Sequence, residues 1–382
     1  MNVVIAIDSF KGSLSSLDAG KAIREGILQI HPLAEVLIKP IADGGEGTVE
    51  ALVEGLQGSY HKVEVTGPLG TPVTSTYGTI DNGHVAIIEM ATAAGLSYVP
   101  IAERNPLNTT SFGVGETILH AIHTGCREFI IGLGGSATND GGIGMLSALG
   151  VRFFDENDNE LPPYGRSLTQ IQKINTDNMP AALKDCHFRI ACDVTNPLYG
   201  CNGATYIFGP QKGATPEIIT TLESGIKSYA TIVSNHFQSN LAKTPGAGAA
   251  GGLGFAFIAF LNASMESGVS VILDAIHLRD DLKDADYVIT GEGRLDKQTA
   301  MGKAPSGIAS LAKEFGKTVI AFSGCATLEA KVVNTIGIDA FFPILQAPMS
   351  TEEAMESKTA HENMVATATQ VFSLIAALEN RR

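Results

Sequence analysis

Six short strings in this chain combine glycine or proline with carboxylate, hydroxyl, amide or cationic side chains, the types that hold anions and metal ions, and a seventh, Pro245–Gly254, is nearly all glycine and alanine. The first is Asp8-Ser9-Phe10-Lys11-Gly12-Ser13-Leu14-Ser15, with a carboxylate, an ammonium and several hydroxyls ahead of a predicted helix. A helix N-terminus carries partial positive charge and unpaired N–H groups, so the string suits an anion, with Lys11 holding a carboxylate or a phosphate. A capped helix start with a solvated lysine is the alternative. The second string, Ala42-Asp43-Gly44-Gly45-Glu46-Gly47-Thr48, has more glycine than a turn needs. Backbone N–H groups around Asp43, Gly44, Gly45 and Glu46 would form a small anion site beside a metal ligand, or simply a wide strand-to-helix turn.

The densest string runs from Gly132 to Gly142. Gly132, Gly134 and Ala137 satisfy G-x-G-x-x-A after a strand, but no acidic residue follows on a second strand where a ribose ligand belongs. Ser136, Thr138, Asn139 and Asp140 around Gly134 and Gly135 suit phosphates with Mg²⁺ better than a dinucleotide. The segment Pro245–Gly254 would either cradle phosphate at a helix start or pack closely on a neighbour. Gly291-Glu292-Gly293-Arg294-Leu295-Asp296-Lys297-Gln298-Thr299 is expected to follow a strand at Tyr287–Thr290. Its Arg294 can clamp an oxyanion, while Glu292 and Asp296 can serve Mg²⁺ or accept a proton. Asp193 stands at a strand end before a proline turn, and Lys212 is expected to be exposed on a glycine turn. Gly302-Lys303 lacks the rest of a phosphate-binding Walker loop, and the nine histidines are scattered without a ligand pattern.

The elements that must position these strings alternate at both ends of the chain. Val3–Ile7 and Val36–Ile41 read as strands, and Ser16–Ile30 as a helix with Ile23, Ile27 and Ile30 at helical spacing. Ser15 with Asp18 makes a capping box, and Pro32 ends the helix. Lys62–Val65, Val73–Ile80 and Val85–Met90, split by Gly-Pro and Asn-Gly turns, read as an antiparallel meander. Phe129–Gly132, Val151–Phe154, Phe188–Asp193, Thr205–Phe208 and Val269–Leu273 are expected strands of a larger mixed sheet. Tyr287–Thr290, Thr318–Phe322 and Ala340–Ile344 restore the strand–helix alternation, and a periodic helix closes the chain. The fold class is therefore α/β: a discontinuous three-layer, parallel-sheet domain at 1–61 and 286–382, with a mixed α/β domain inserted at 62–285.

Composition narrows the field. At 382 residues, with 44% hydrophobic and 17% charged residues, the chain can build two folded domains. A net charge of −14 repels polyphosphate backbones, so nucleic acid is not an expected partner. No apolar run approaches the ~20 residues that span a bilayer, and no basic-then-apolar leader precedes Val3. Cys126, Cys186, Cys192, Cys201 and Cys325 lack metal-ligand spacing and read as reduced thiols filling cores in the cytoplasm.

Together the strings are specific. Residues 8–14, 42–48, 134–142, 192–198, 208–214, 245–252 and 290–296 resemble, in order and along the whole chain, the motifs of the bacterial glycerate kinase family. Ile143 departs from the small residue expected there, a change expected to reshape the loop without removing a functional group. The resemblance implies phosphorylation of D-glycerate by ATP with Mg²⁺, giving 2-phosphoglycerate. It also implies a flavodoxin-like domain holding a restriction-enzyme-like insert, with a cleft between them as active site; a cytoplasmic monomer or homodimer is expected. On this reading Asp193 or Asp296 takes the hydroxyl proton, and Lys11 and Arg294 hold carboxylate or phosphate. Asp43, Glu46 and Asp140 serve Mg²⁺, and Asp8, Ser9, Gly291, Gly293 and Lys212 line the ligands. The alternatives are an NAD-dependent hydroxy-acid dehydrogenase, disfavoured by the missing ribose ligand, and a non-catalytic sensor of small acids.

Overall fold

The computed structural model describes residues 1–42 and 47–380. The chain begins β1 (Asn2–Ile5), α1 (Ser16–Ile30), β2 (Glu35–Ile38) and α2 (Thr48–Gly55), followed by β3 (Ser59–Thr66), β4 (Pro72–Ile80) and β5 (Val85–Glu89). It continues α3 (Ala91–Ala94), α4 (Phe112–His123), β6 (Glu128–Gly132), α5 (Ile143–Ala148), β7 (Arg152–Phe154), β8 (Lys173–Asn175) and β9 (His187–Ala191). Then come α6 (Ala204–Phe208), α7 (Pro216–Phe237), α8 (Ala249–Leu261), β10 (Ser264–Glu266), α9 (Gly268–Ala275) and α10 (Leu278–Asp281). The last part is β11 (Tyr287–Leu295), α11 (Ala304–Glu314), β12 (Thr318–Ala326), β13 (Ala340–Pro343), α12 (Thr351–Met355) and α13 (Ser357–Glu379). Two units emerge: Met1–Asp43 with Glu50–Gln57 and Val269–Arg382, and Gly44–Val49 with Gly58–Gly268.

The first unit carries a five-stranded parallel sheet in the order β13-β12-β11-β1-β2. Counted along this unit, that is the flavodoxin-like order 2-1-3-4-5, whose direction reverses between β1 and β11. Val3, Ile5 and Ile7 alternate with Ile289 and Phe322 in its core, each such side chain adding roughly 1.5–3 kcal/mol by leaving water. Ser15 caps α1 by accepting the Asp18 N–H at 3.1 Å, and its hydroxyl donates back to the Asp18 carboxylate at 2.8 Å. The helix then lies against α13. A Cβ at Gly26 would meet the Val365 carbonyl oxygen at 2.6 Å and the Ala368 Cβ at 2.8 Å.

The second unit builds a six-stranded sheet ordered β10-β9-β6-β5-β4-β3. Here β3, β4 and β5 are the expected antiparallel meander, while β5, β6, β9 and β10 run parallel. Register aligns Glu89, Gly132, Ala191 and Glu266 in one row across those four strands. Phe129 and Phe188 stack at 4.8 Å beneath it.

Several expected elements differ. Thr205–Phe208 is helical, with Ala204 and Thr205 buried while Tyr206 and Ile207 face solvent; two adjacent buried residues followed by two exposed ones fit a helix face, not a strand. Val269–Leu273 lies in helix α9, because a short β-branched run has no period to separate strand from buried helix. Val151–Phe154 supplies β7, which pairs with β8 in a separate two-stranded sheet. The edge strand β10 and β8 had no legible signal in three residues each. Cys201 and Cys325 are exposed rather than core filler. Among the described residues no helix is long and apolar enough to cross a membrane.

Because the α1–α13 contact leaves no room for a side chain at position 26, Gly26→Val is expected to destabilise the protein by about 1–3 kcal/mol through overpacking. A lowered urea midpoint at unchanged slope would show it; an unchanged midpoint would mean the helices separate without cost.

Candidate active site

Ligands of open parallel sheets bind beyond the carboxyl ends of the strands at the point where strand order reverses. In the first unit that point lies between β1 and β11, where two of the predicted strings meet. Beyond β1 the chain holds Asp8, whose N–H donates to the Gly291 carbonyl at 3.0 Å, while the Ser9 N–H donates to the Asp8 carboxylate at 2.6 Å. Phe10 and Leu14 then exchange backbone hydrogen bonds across a tight turn that leaves Lys11 exposed at its tip. The helix start behind this turn is satisfied by its own Ser15, so the capped-start reading holds for the serine.

Residues Gly291 to Leu295 are not a loop: β11 runs on to Leu295 beside β12. That extension needs Gly291, since a Cβ there would come within 1.9 Å of the Phe322 carbonyl oxygen. Gly293 lies next to the Phe10–Lys11 backbone, a Cβ there falling 3.6 Å from the Phe10 Cα. Glu292 is buried, accepting the Thr299 hydroxyl at 2.6 Å and the Lys303 ammonium at 3.0 Å. Asp296 caps the following turn: its carboxylate accepts the Gln298 N–H and its own N–H donates to the Thr299 hydroxyl. Arg294 is exposed, its Nε 3.7 Å from the Asp296 carboxylate. Thr299 and Lys303 thus position the Glu292 carboxylate, and Thr299 also fixes the Asp296 backbone. The first was only the tail of a quoted string, and the second was weighed only as part of a failed Walker pattern.

In the second unit Gly134 and Gly135 are exposed at a corner while Ser136, Thr138, Asn139 and Asp140 are buried. The corner is tied to the segment after α3: the Leu96 N–H donates to the Gly135 carbonyl and the Ala137 N–H to the Ala94 carbonyl, both at 2.9 Å. Asp140 differs from the metal ligand expected. Fully buried, it accepts the Ser111 N–H and hydroxyl at 2.8 Å each, the Gly142 N–H at 3.0 Å and the Gly144 N–H at 3.3 Å. Burial pushes its carboxyl up, against the pull of those hydrogen bonds. Its place is under the corner, organising the backbone from within. Ile143 opens α5 and is buried.

Lys212 also differs from expectation. Instead of lying exposed it is 2% accessible, donating to the Ser136 hydroxyl at 2.8 Å and the Thr138 carbonyl at 2.5 Å. Burial pushes its ammonium down to about 7, with the Asp140 carboxylate opposing the shift. Asn139 donates to the Thr205 hydroxyl at 3.0 Å. The glycine-rich segment 245–252 resolves to close packing. Gly251, at φ +69°, lets its backbone lie where a Cβ would strike the Thr138 carbonyl oxygen at 2.0 Å, and its carbonyl accepts the Gly141 N–H.

Asp193 is exposed beyond β9, its carboxylate accepting the Gly268 N–H at 3.0 Å. Glu89, at the end of β5 and absent from every quoted string, accepts the Val49 N–H at 3.0 Å. A cavity of about 810 Å³ lies elsewhere in this unit, at the amino end of β9 beside His187 and Arg189. A smaller one, about 420 Å³, opens between Glu89 and the Gly134–Gly135 corner. Asp43, Gly44, Gly45 and Glu46 lie outside the described residues.

One unit with a flavodoxin-like parallel sheet and a second with a mixed sheet, its glycine corner over a buried lysine, define a two-unit α/β protein. Comparison makes this specific. The family model described as "Glycerate kinase family" matches residues 3–376. The chain is 45% identical to glycerate 2-kinase of Escherichia coli K12 over 98% of each chain. It is 46% identical to glycerate kinase of Haemophilus influenzae over 98% of this chain and 99% of that one. A Salmonella typhimurium LT2 protein, provisionally named glycerate kinase 2, has a crystal structure that superposes with a TM-score of 0.92 at 46% identity, covering 100% of this chain and 99% of that one. The chain belongs to the glycerate kinase family, and it is a kinase.

The Lys212 burial has a pH signature. A lysine whose folded pKa of about 7 lies below its unfolded value leaves the unfolded chain holding more protons between the two, so stability rises with pH across that window. Lys212→Met is expected to flatten the rise of the urea midpoint above pH 7, the difference from the parent amounting to a few kcal/mol (on the order of 1.4 per pK unit). Parallel curves for both proteins would show that this ammonium does not titrate in the fold.

Proposed function

We propose that this chain transfers the γ-phosphoryl group of ATP to the C2 hydroxyl of D-glycerate, giving 2-phosphoglycerate and ADP. The carrying observation is the nearly full-length identity to a protein named glycerate 2-kinase. In this reaction the glycerate oxygen bonds to the γ-phosphorus as the bridging bond to the β-phosphate breaks, and the hydroxyl proton passes to a carboxylate. Such transfer depends on positioning and charge neutralisation more than on covalent help. Asp193 or Asp296 accepts the proton, and Lys11 and Arg294 hold the glycerate carboxylate or the moving phosphoryl. Asp8, Ser9, Glu292 and Gly293 shape the switch point, and the Gly134-Gly135-Ser136 corner, backed by Lys212, receives phosphates.

Mg²⁺, when bound, would neutralise charge on the triphosphate. Among the described residues no group of three or more His, Cys, Asp or Glu is placed to hold a metal. Mg²⁺ usually keeps several waters and binds through one or two carboxylates plus the substrate's phosphates. Asp43 and Glu46 are the proposed partners, and Asp140, enclosed by backbone donors, is not. The cytoplasm, where ATP is held, is the proposed compartment.

Phosphorus NMR of the protein with ATP, Mg²⁺ and D-glycerate is expected to show a 2-phosphoglycerate resonance that is absent without enzyme. A 3-phosphoglycerate signal would move the attack to the other hydroxyl, and intact ATP with no new ester would end the glycerate assignment. The base is tested separately. Asp193→Asn or Asp296→Asn should lower kcat by roughly 10²–10⁴, the usual worth of a positioned proton acceptor; near-parental kcat in both variants would remove both residues from that role.

A further inference from the structure

The cavity between Glu89 and the glycine corner has no part in the reading so far. We infer that it takes the nucleoside half of the phosphoryl donor, an inference that rests on the kinase reading above. Its volume of about 420 Å³ falls within the roughly 300–1,000 Å³ typical of small-molecule sites, far more than a three-carbon acid fills. It lies at the carboxyl ends of β5 and β6, whose last residues, Glu89 and Gly132, are register partners; parallel strands bind ligands at that end.

The lining selects between the two substrates by charge. Glu89 stands at its edge, fixed by the Val49 N–H. A carboxylate there accepts from ribose hydroxyls or an exocyclic amine and repels a hydroxy acid's own carboxylate. Leu96 and Tyr98 supply apolar surface for a flat base, and the Tyr98 hydroxyl donates to the Thr74 carbonyl at 3.3 Å, which holds the ring in place. The wall and the corner are one piece, because the Leu96 N–H and the Ala137 N–H tie the two segments together. A nucleoside lodged here would therefore hand its phosphates directly to Gly134 and Gly135, which line the same cavity and have the Lys212 ammonium behind the adjoining Ser136.

Ser97 lines the cavity from an exposed position, so Ser97→Trp obstructs the mouth without entering the core. Titration calorimetry of the full chain with ADP is expected to show affinity reduced about tenfold or more in Ser97→Trp, and reduced in the near-isosteric Glu89→Gln. KM for D-glycerate should stay within about twofold of the parent, since ground-state binding of the acid is untouched. Unchanged ADP affinity in both variants would overturn the inference, as would a raised KM for D-glycerate with ADP binding intact, which would make this the acid's pocket. The two readings fail apart: a parent protein that binds ADP here yet forms no glycerate ester loses the glycerate reading and keeps the nucleoside site. One that forms the ester while both variants bind ADP normally does the reverse.

Discussion

Two parallel strands deliver both carboxyl ends to the same edge of a sheet, and the placement of Asp8, Glu292, Glu89, Asp193 and the glycine corner depends on that constraint. In the first unit it brings the segment after β1 and the end of β11 side by side, so Asp8 and Glu292, far apart in sequence, flank one switch point. In the second it lines up Glu89, Gly132 and Ala191 across three strands, setting the 420 Å³ cavity, the glycine corner and the Asp193 loop along one edge. Had β6 run antiparallel to β5, Gly132 would sit at the opposite edge from Glu89, and the cavity would have only one of its walls.

Buried charge is the second organising feature, and it works differently in the two units. Glu292 is answered at close range by Lys303 and Thr299. Asp140 and Lys212 are taken out of water more completely and are satisfied mainly by backbone and hydroxyl groups rather than by each other. Burying an ion costs several kcal/mol unless hydrogen bonds satisfy it, so these two groups stabilise the protein less than their bond count suggests. What they fix is conformation: Asp140 gathers the N–H groups of Gly142 and Gly144, and Lys212 pins the Ser136 hydroxyl and the Thr138 carbonyl. Between them the corner at Gly134 and Gly135 has little freedom to adapt, which suits a reaction that depends on positioning.

Long periodic segments were legible in the sequence because their burial follows a period. Helix Ser16–Ile30 and the meander β3-β4-β5 stand where their patterns put them. Short apolar runs were not: Thr205–Phe208 and Val269–Leu273 carry strand-like residues, but a run of four or five residues fits a buried helix turn as well as a strand. The strings that carry chemistry were legible as strings, since glycine beside carboxylate and hydroxyl groups has few uses. Which atoms face solvent was not, because exposure is set by partners remote in sequence. Lys212 on its glycine turn reads as solvated until Ser136 and Thr138 arrive from another part of the chain to receive it. Glu89 was missed for the opposite reason: it ends a strand with no glycine, and nothing local separates it from any other exposed acid.

The glycine-rich strings divide once their neighbours are known. At Gly134 and Gly135 the backbone faces outward, and small residues keep it accessible to a ligand. At Gly251 and Gly252 the same composition faces inward, where any side chain would strike the Thr138 carbonyl or the Gly141 Cα. The second string lets the chain approach the first closely enough for the Gly251 carbonyl to accept the Gly141 N–H, just beyond Asp140. A pattern that resembles two phosphate sites is therefore one exposed corner and the packing that holds it. The inward string is the less tolerant of change, since an added methyl group meets backbone that cannot give way without moving the corner.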